Sequence, residues 1–425
     1  MYIRFFLYFF SFLTSESLIN SFAAEIFEID KVNYIYAVGL LFTALGYVLF
    51  SLIKDKKYGY LGQTIALISL IGVFKSTNNW IFLLSAYSLL ISLGYIGGYI
   101  HYLLSFLLDE KHFSIKTSFF AACGVLLQYF FQNHLDSLIM YGLIVSFIFL
   151  MPLKPRVKIS SNNSKYTSTK SLLIIVVISI FIMSIILGFQ DSFLTLENAK
   201  GEVLLFSKAR LLYAVGLIIA GIISDYKNFI FLPLASACSM IISIVAISFF
   251  NHFTLSMSLM YVYSGFYVMY LTLIPISLAA NIKNREMYTG IGRITRSISS
   301  SFVVLITTIL NNYISQYIYV LLTCFLSIFI IVLMAFSGLF KFDKKECQIN
   351  TLREKLEIAD KKYNLTLKEK EVLEKLVTNE KMVQEIAEEL GISRRVLQRH
   401  IASLYEKMNV QTRVGLLMVL NEIKK

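Results

Sequence analysis

Charge is scarce in this sequence. Only 16% of its 425 residues are Asp, Glu, Lys or Arg and 57% are apolar, where an ordinary soluble domain holds roughly 25% and 45–50%. The deficit excludes a chain that is soluble throughout and points to lipid as the main solvent. Cysteine is also sparse: Cys123, Cys238, Cys324 and Cys347 have neither metal-ligand nor CxxC spacing, so no disulfide framework and no metal site are expected. A phosphate-cradling glycine loop, a paired-carboxylate site and a nucleophile beside a base are all missing, and the five histidines are scattered. The expectation is a protein that is not an enzyme, with no catalytic residue and no cofactor.

The little charge there is sits unevenly. Residues 1–340 hold 21 Lys/Arg and 13 Asp/Glu, whereas the 85 residues from Lys341 onward hold 18 and 14. The chain therefore changes solvent near residue 340. The expected division is a membrane domain over 1–340, a helical linker over 341–364 and a small soluble domain over 365–425. Apolar segments fall near 5–24, 33–53, 60–76, 80–107, 115–132, 136–153, 171–189, 209–225, 229–249, 254–281, 297–312 and 315–340. Most approach the ~20 residues that cross a bilayer as helix, which predicts twelve spans.

With the N-terminus in the cytoplasm, the short loops place sixteen Lys and Arg inside, Arg293 and Arg296 among them, against five outside, including Lys208 and Arg210. By the positive-inside rule the C-terminus is then cytoplasmic. Residues 1–24 also fit a cleaved signal peptide, with Arg4, the run Phe5 to Leu13 and the pair Ala23-Ala24. Its removal would leave eleven spans and the same cytoplasmic C-terminus.

The basic, Ser/Thr/Asn-rich loop Lys154–Lys170 divides the spans six and six, the layout of two helical halves. In the turn GIISDYKN stand Gly221, Asp225 and Lys227; in SLIKDKKYG stand Asp55, Lys56 and Lys57, with Ser51 in the glycine position. Two halves, a basic central loop and these turns resemble the major facilitator superfamily over about 340 residues. The resemblance implies a 6+6 bundle. Asp and Glu are read as absent from the span centres, which argues against ion-coupled transport. The polar residues that remain are His101, Gln128, Gln190 beside Asp191, and Lys208 with Arg210. Each fits packing or snorkelling, and each also fits the polar wall of a cavity for a small molecule. His101, Gln128, Asp191 and Arg210 are the ligand-binding candidates.

After the last span Ile349, Leu352, Leu356, Ala359 and Tyr363 recur at helical spacing, suiting either an amphipathic linker helix or a dimer stalk. Four short helices follow. Thr366 can cap the first, with Glu369 completing a capping box, and Val372, Leu373, Leu376 and Val377 form its buried face. A second ends at Leu390; Gly391 turns the chain, Ile392 fills the corner and Ser393 caps the third. This is the turn of a helix-turn-helix. Leu397, Ile401, Leu404 and Met408 hold the third helix to the core and leave Arg394, Arg395, Gln398, Arg399 and Ala402 on the other face.

That face suits DNA. Between Ser393 and Arg413 there are five Lys/Arg and one acidic residue. Arg394 and Arg395 can meet phosphates near the helix N-terminus, while Gln398 and Arg399 can pair with base edges. Leu365-Thr366, Glu371-Val372-Leu373, Glu385-Ile386-Ala387, Leu390, Ile392-Ser393, His400, Tyr405, Lys407, Val410 and Arg413 together resemble the LuxR-type (GerE) DNA-binding domain, with unbroken spacing over about 55 residues. Val396, Gln398 and Met382 depart from the residues usual there. The DNA-binding candidates are Ser393, Arg394, Arg395, Gln398, Arg399, Lys407 and Arg413. The resemblance implies binding as a dimer, often through the fourth helix, here Arg413 to Asn421.

The fold class expected is all-α: a polytopic membrane bundle followed by a four-helix LuxR-type domain. The expected function is a one-component transcription regulator in the bacterial cytoplasmic membrane, sensing a small molecule or membrane cue. Its expected partners are double-stranded DNA, the bilayer, that ligand and, on DNA, a second copy of itself. Two alternatives stay open: a major-facilitator-type transporter with a regulatory tail, and a tethered module that has lost DNA binding.

Overall fold

A computed structural model describes residues 1–53, 59–76, 78–108, 110–134, 137–150, 168–199, 208–226, 229, 231–249, 253–279, 284–310, 316–337, 339, 355–356, 359–360, 362–378 and 382–422. All regular structure among them is helical. They fall into two compact units, the first drawn from residues 1–343 and the second from 344–425.

The first unit contains α1 (Tyr2–Ile26), α2 (Ile29–Leu52), α3 (Gly59–Lys75), α4 (Asn79–Leu104), α5 (Phe113–His134), α6 (Ser137–Leu150), α7 (Ser168–Ala199), α8 (Leu211–Asp225), α9 (Phe231–Phe249), α10 (Phe253–Ala279), α11 (Arg285–Leu310) and α12 (Gln316–Phe336). Among the described residues, five helices have the length and hydropathy of a full span, within α2, α4, α5, α7 and α10, and α3, α9 and α12 supply shorter apolar stretches. Many hydroxyls inside these helices donate to the preceding turn, as where Thr14 Oγ1 donates to Phe10 O at 2.7 Å and Ser184 Oγ to Ile180 O at 2.8 Å.

The packing repeats with a period of six helices. In the first half α1 packs on α4, α5 and α6, α2 and α3 pack on α4, and α3 on α6; the same contacts recur among α7 to α12. The halves meet along α2 with α11 and α5 with α8, which are also equivalent pairs. A close glycine-to-glycine approach is repeated as well. Where α2 crosses α4, a Cβ on Gly46 would lie 2.9 Å from Gly94 Cα; where α8 crosses α10, a Cβ on Gly265 would lie 2.8 Å from Gly216 Cα. Helices in lipid associate mainly by such close packing of small residues.

Two helices outrun the sequence expectation: α7 continues to Ala199, past the expected 189, and α11 starts early. The segment expected at 297–312 begins instead at Arg285, so Arg293 and Arg296, counted above as loop residues, lie inside α11. Arg293 is 6% exposed. The basic excess of the inner loops shrinks by those two residues but keeps its sign. Asp55, Lys56, Lys57, Lys227, Cys347 and most of the Lys154–Lys170 loop lie outside the described residues.

The second unit contains α13 (Leu367–Thr378), α14 (Val383–Glu389), α15 (Arg394–Lys407) and α16 (Arg413–Glu422). Its core joins Val372, Leu373 and Leu376 to Ile386, Ala387, Leu397, Leu404, Met408, Leu416 and Leu420. Leu356 and Ala359, from the linker stripe, are buried in the same core with Tyr363 packed against it. That end of the stripe is committed to its own domain.

Gly216→Leu places a side chain where α10 backbone stands, and overpacking of this kind costs roughly 1–3 kcal/mol or more. The expected result is a lower melting temperature and less monodisperse protein on size-exclusion chromatography in detergent, with Gly142→Leu, where nothing lies within 4 Å, as the tolerated control.

Candidate functional site

In the second unit, two turns set the position of α15. At its start Gly391 adopts φ 65°, its N–H donates to Glu388 O at 3.2 Å and that of Ile392 to Ala387 O at 3.1 Å, closing α14 by paired bonds to its last turn. Ser393 Oγ then accepts from Val396 N–H at 3.3 Å. At the other end Asn409 takes φ 51° and Val410 N–H returns to Tyr405 O at 2.9 Å, so α15 stops as sharply as it starts.

Beneath α15 lies a buried carboxylate. Glu369 Oε2 accepts from Thr366 N–H at 2.7 Å while Thr366 Oγ1 accepts from Glu369 N–H at 3.3 Å, the reciprocal pair expected of a capping box. The same carboxylate receives Ser403 Oγ at 2.6 Å and Lys407 Nζ at 2.7 Å, both from α15. Burial works against ionisation of Glu369, but the hydrogen bonds from Lys407, Ser403 and Thr366 overcome it and hold the carboxyl at about 2. Arg413 Nε donates to Leu376 O at 2.7 Å, at the C-terminal end of α13 where a cation is favoured. Lys375 pairs with Glu389 at 2.8 Å. Every later helix is thus tied to α13.

These ties separate the DNA-binding candidates into two groups. Lys407 and Arg413 hold α15 and α16 to α13. Arg394, Arg395, Gln398 and Arg399 are exposed, with Ala402 beyond them, on one face of α15, and none bonds to another described residue. Met382, at the N-cap of α14, makes no side-chain cap bond; Glu385 supplies the missing half by accepting Met382 N–H at 3.1 Å.

Residues 363–420 match the model of the bacterial regulatory proteins, luxR family (GerE). This segment is a LuxR-type helix-turn-helix domain. The fold of the first unit is that of major facilitator superfamily transporters. It is similar to the human organic anion transporter MFSD10 (TETRAN), at 12% identity and TM-score 0.59 over 78% of this chain and 97% of that one. It is also similar to the transporter FucP in the outward conformation, at 11% and 0.57 over 79% and 98%. A bacterial homologue of the human peptide transporters PepT1 and PepT2 aligns at 11% and 0.54 over 83% and 97%. No curated protein matches the chain.

In the first unit the two halves are tied at the end where α1 begins. Asp225, closing α8, accepts from the N–H groups of Ser114 and Ile115 at 3.0 and 3.1 Å, capping α5 of the other half. Arg285, opening α11, donates to Ser105 Oγ at 2.7 Å and stacks 4.1 Å from the Phe106 ring. Toward the opposite end opens a cavity of about 570 Å³. Three of the four ligand candidates, Gln128, Asp191 and Arg210, line it, joined by Glu16, Tyr36 and Arg296.

His101 is not among them. Fully buried, it shares Nδ1 with Gly97 O at 2.7 Å and is boxed by the rings of Phe5, Tyr8 and Tyr47. It belongs to a packed polar layer in which Tyr8 and Tyr47 share a hydrogen bond of 2.8 Å. Glu16 overturns the expectation that no acid sits near a span centre, since it lies in the middle of α1 and accepts from Tyr36 Oη at 3.0 Å. Among the described residues no cluster is placed to hold a metal ion.

An unfolded glutamate titrates near 4.5. The Glu369 contribution to stability is therefore complete above about pH 4.5 and lost as the pH falls toward 2. Chemical denaturation of a 344–425 fragment, followed by circular dichroism, is expected to show that acid loss in wild type and a flatter acid limb in Glu369→Gln.

Proposed function

We propose that this chain is a membrane-bound, one-component transcription regulator. The observation that carries the reading is the exposed, unengaged row Arg394, Arg395, Gln398 and Arg399 on the helix that follows a helix-turn-helix turn. In a major groove, Arg394 and Arg395 would meet phosphates, and Gln398 and Arg399 would read adenine and guanine edges. Ser393, Lys407 and Arg413 would set the pose of that helix, Ser393 and Lys407 from its two ends and Arg413 from the neighbouring helix.

Two copies bind together in this reading. On α16, Val414, Leu417 and Met418 share one face and are 59%, 36% and 63% exposed, an apolar strip that suits a second α16. Residues 1–340 anchor the pair in the bacterial cytoplasmic membrane and sense a small molecule or membrane cue. Residues 341–364 connect, and 365–425 read DNA in the cytoplasm, a side of the membrane that the basic excess of the inner loops supports. A ligand acts by preferring one arrangement of the two halves, which changes how the DNA-binding domains are presented.

A transporter with a regulatory tail is the second reading, favoured by Glu16 and Asp191 in the cavity, acidic groups of the kind that ion coupling uses. Substrate flux into proteoliposomes supports it; binding without flux supports the receptor.

Footprinting of DNA around its own gene with a 344–425 fragment at low salt is expected to reveal a protected site, and absence of any protected site overturns the regulator. Arg399→Ala is expected to relax base preference at one position at a cost of about 1–3 kcal/mol, whereas Arg394→Ala weakens all sequences alike and lowers the salt slope by about one.

A further inference from the structure

Four charged side chains line the cavity of the membrane domain, two of each sign: Glu16 and Asp191, Arg210 and Arg296. Their surroundings differ. Asp191 and Arg210 attract one another, and Arg210 is held by Gln128 Oε1 at 3.0 Å, while Gln128 Nε2 donates to Leu13 O at 3.2 Å. That pair is committed to the protein. Glu16, on α1, accepts from Tyr36. Arg296, on α11, lies within electrostatic reach of Glu16, yet makes no hydrogen bond or ion pair with a described residue. A carboxylate and a guanidinium therefore face one cavity from opposite halves without closing on each other.

We propose that the cavity binds a small zwitterion, a free amino acid or short peptide in chemical class, with its carboxylate on Arg296 and its ammonium on Glu16. This rests on the reading of the membrane domain as ligand-binding and names the ligand's chemistry. The four charges sum to zero, so an anion would leave Glu16 uncompensated in a low-dielectric site and a cation would leave Arg296 so. A zwitterion satisfies both. The guanidinium fork matches a carboxylate in two parallel bonds, and Tyr36 and Tyr213 are among the lining residues, aromatic side chains of the kind that favour an ammonium. The volume, about 570 Å³, falls among small-molecule sites. A ligand held at both ends bridges the two halves, and so binds most tightly the arrangement whose Glu16–Arg296 separation matches its own length. Differential affinity of that kind is what a ligand needs to shift a two-state equilibrium.

The test is thermal unfolding of the full chain in detergent with graded concentrations of the twenty amino acids, dialanine, 3-phenylpropionate, phenethylamine and a neutral disaccharide. At least one zwitterion is expected to raise the melting temperature, with its deaminated and decarboxylated counterparts at least about tenfold weaker. Arg296→Gln is expected to erase the preference for the zwitterion over the amine, Glu16→Gln the preference over the acid, and Arg296→Lys to keep part of it. Should Arg296→Gln fail to fold, the Glu16→Gln and Arg296→Lys comparisons decide. Equal binding of the acid or the amine, unchanged preference in the variants, or binding by the disaccharide alone overturns the zwitterion and leaves the receptor standing. No shift with any class of probe removes both.

Discussion

A charged side chain in hydrocarbon is costly, and that cost organises the membrane domain. Glu16, Asp191, Arg210 and Arg296 lie on helices α1, α7 and α11 and on the turn before α8, and all four face one interior cavity, while Arg293 is buried a turn away. Polar faces turned inward require a bundle wide enough to enclose them, and two six-helix halves that meet along α2–α11 and α5–α8 provide it. Between cavity and closed end stands the layer built from Tyr8, Tyr47 and His101. The ties made by Asp225 and Arg285 then close one end at the helix termini, where orphan backbone groups are available for capping.

In the DNA-binding domain the corresponding organiser is Glu369. One carboxylate caps α13, receives Ser403 and Lys407 from α15, and so fixes the angle at which α15 leaves the core. The arginines proposed to contact DNA stay exposed, whereas the other two basic candidates are engaged internally, Lys407 on Glu369 and Arg413 on a carbonyl of α13.

Much of this was legible in the sequence, and the exceptions share a cause. Capping pairs such as Thr366–Glu369, the Gly391 turn and the core positions of α15 are local patterns, and local patterns are written in residue spacing. Hydropathy located the apolar helices for the same reason. It failed at α11 because a helix that faces a polar cavity along one side averages to a loop-like value, which moved Arg293 and Arg296 outside the span. Glu16 was lost within an otherwise apolar α1. Spacing also could not separate Lys407 and Arg413 from Arg394 and Arg399, because all are basic and near one another; only the position of Glu369 and the end of α13, far earlier in the chain, tells them apart. His101 and Gln128 looked alike as polar residues in spans, and the third dimension sends one to packing and the other to the cavity.

The burial of Leu356 and Ala359 has a bearing on how the soluble part could be set free. The luxR-family match begins at 363, but the hydrophobic core begins earlier. A peptidase that cleaved between Ala359 and residue 363 would release a fragment with an opened core, exposed to unfolding and degradation. Cleavage ahead of Leu356 would release an intact one. Where such a fragment begins therefore decides whether it keeps its core: ahead of Leu356 it does, after Ala359 it does not.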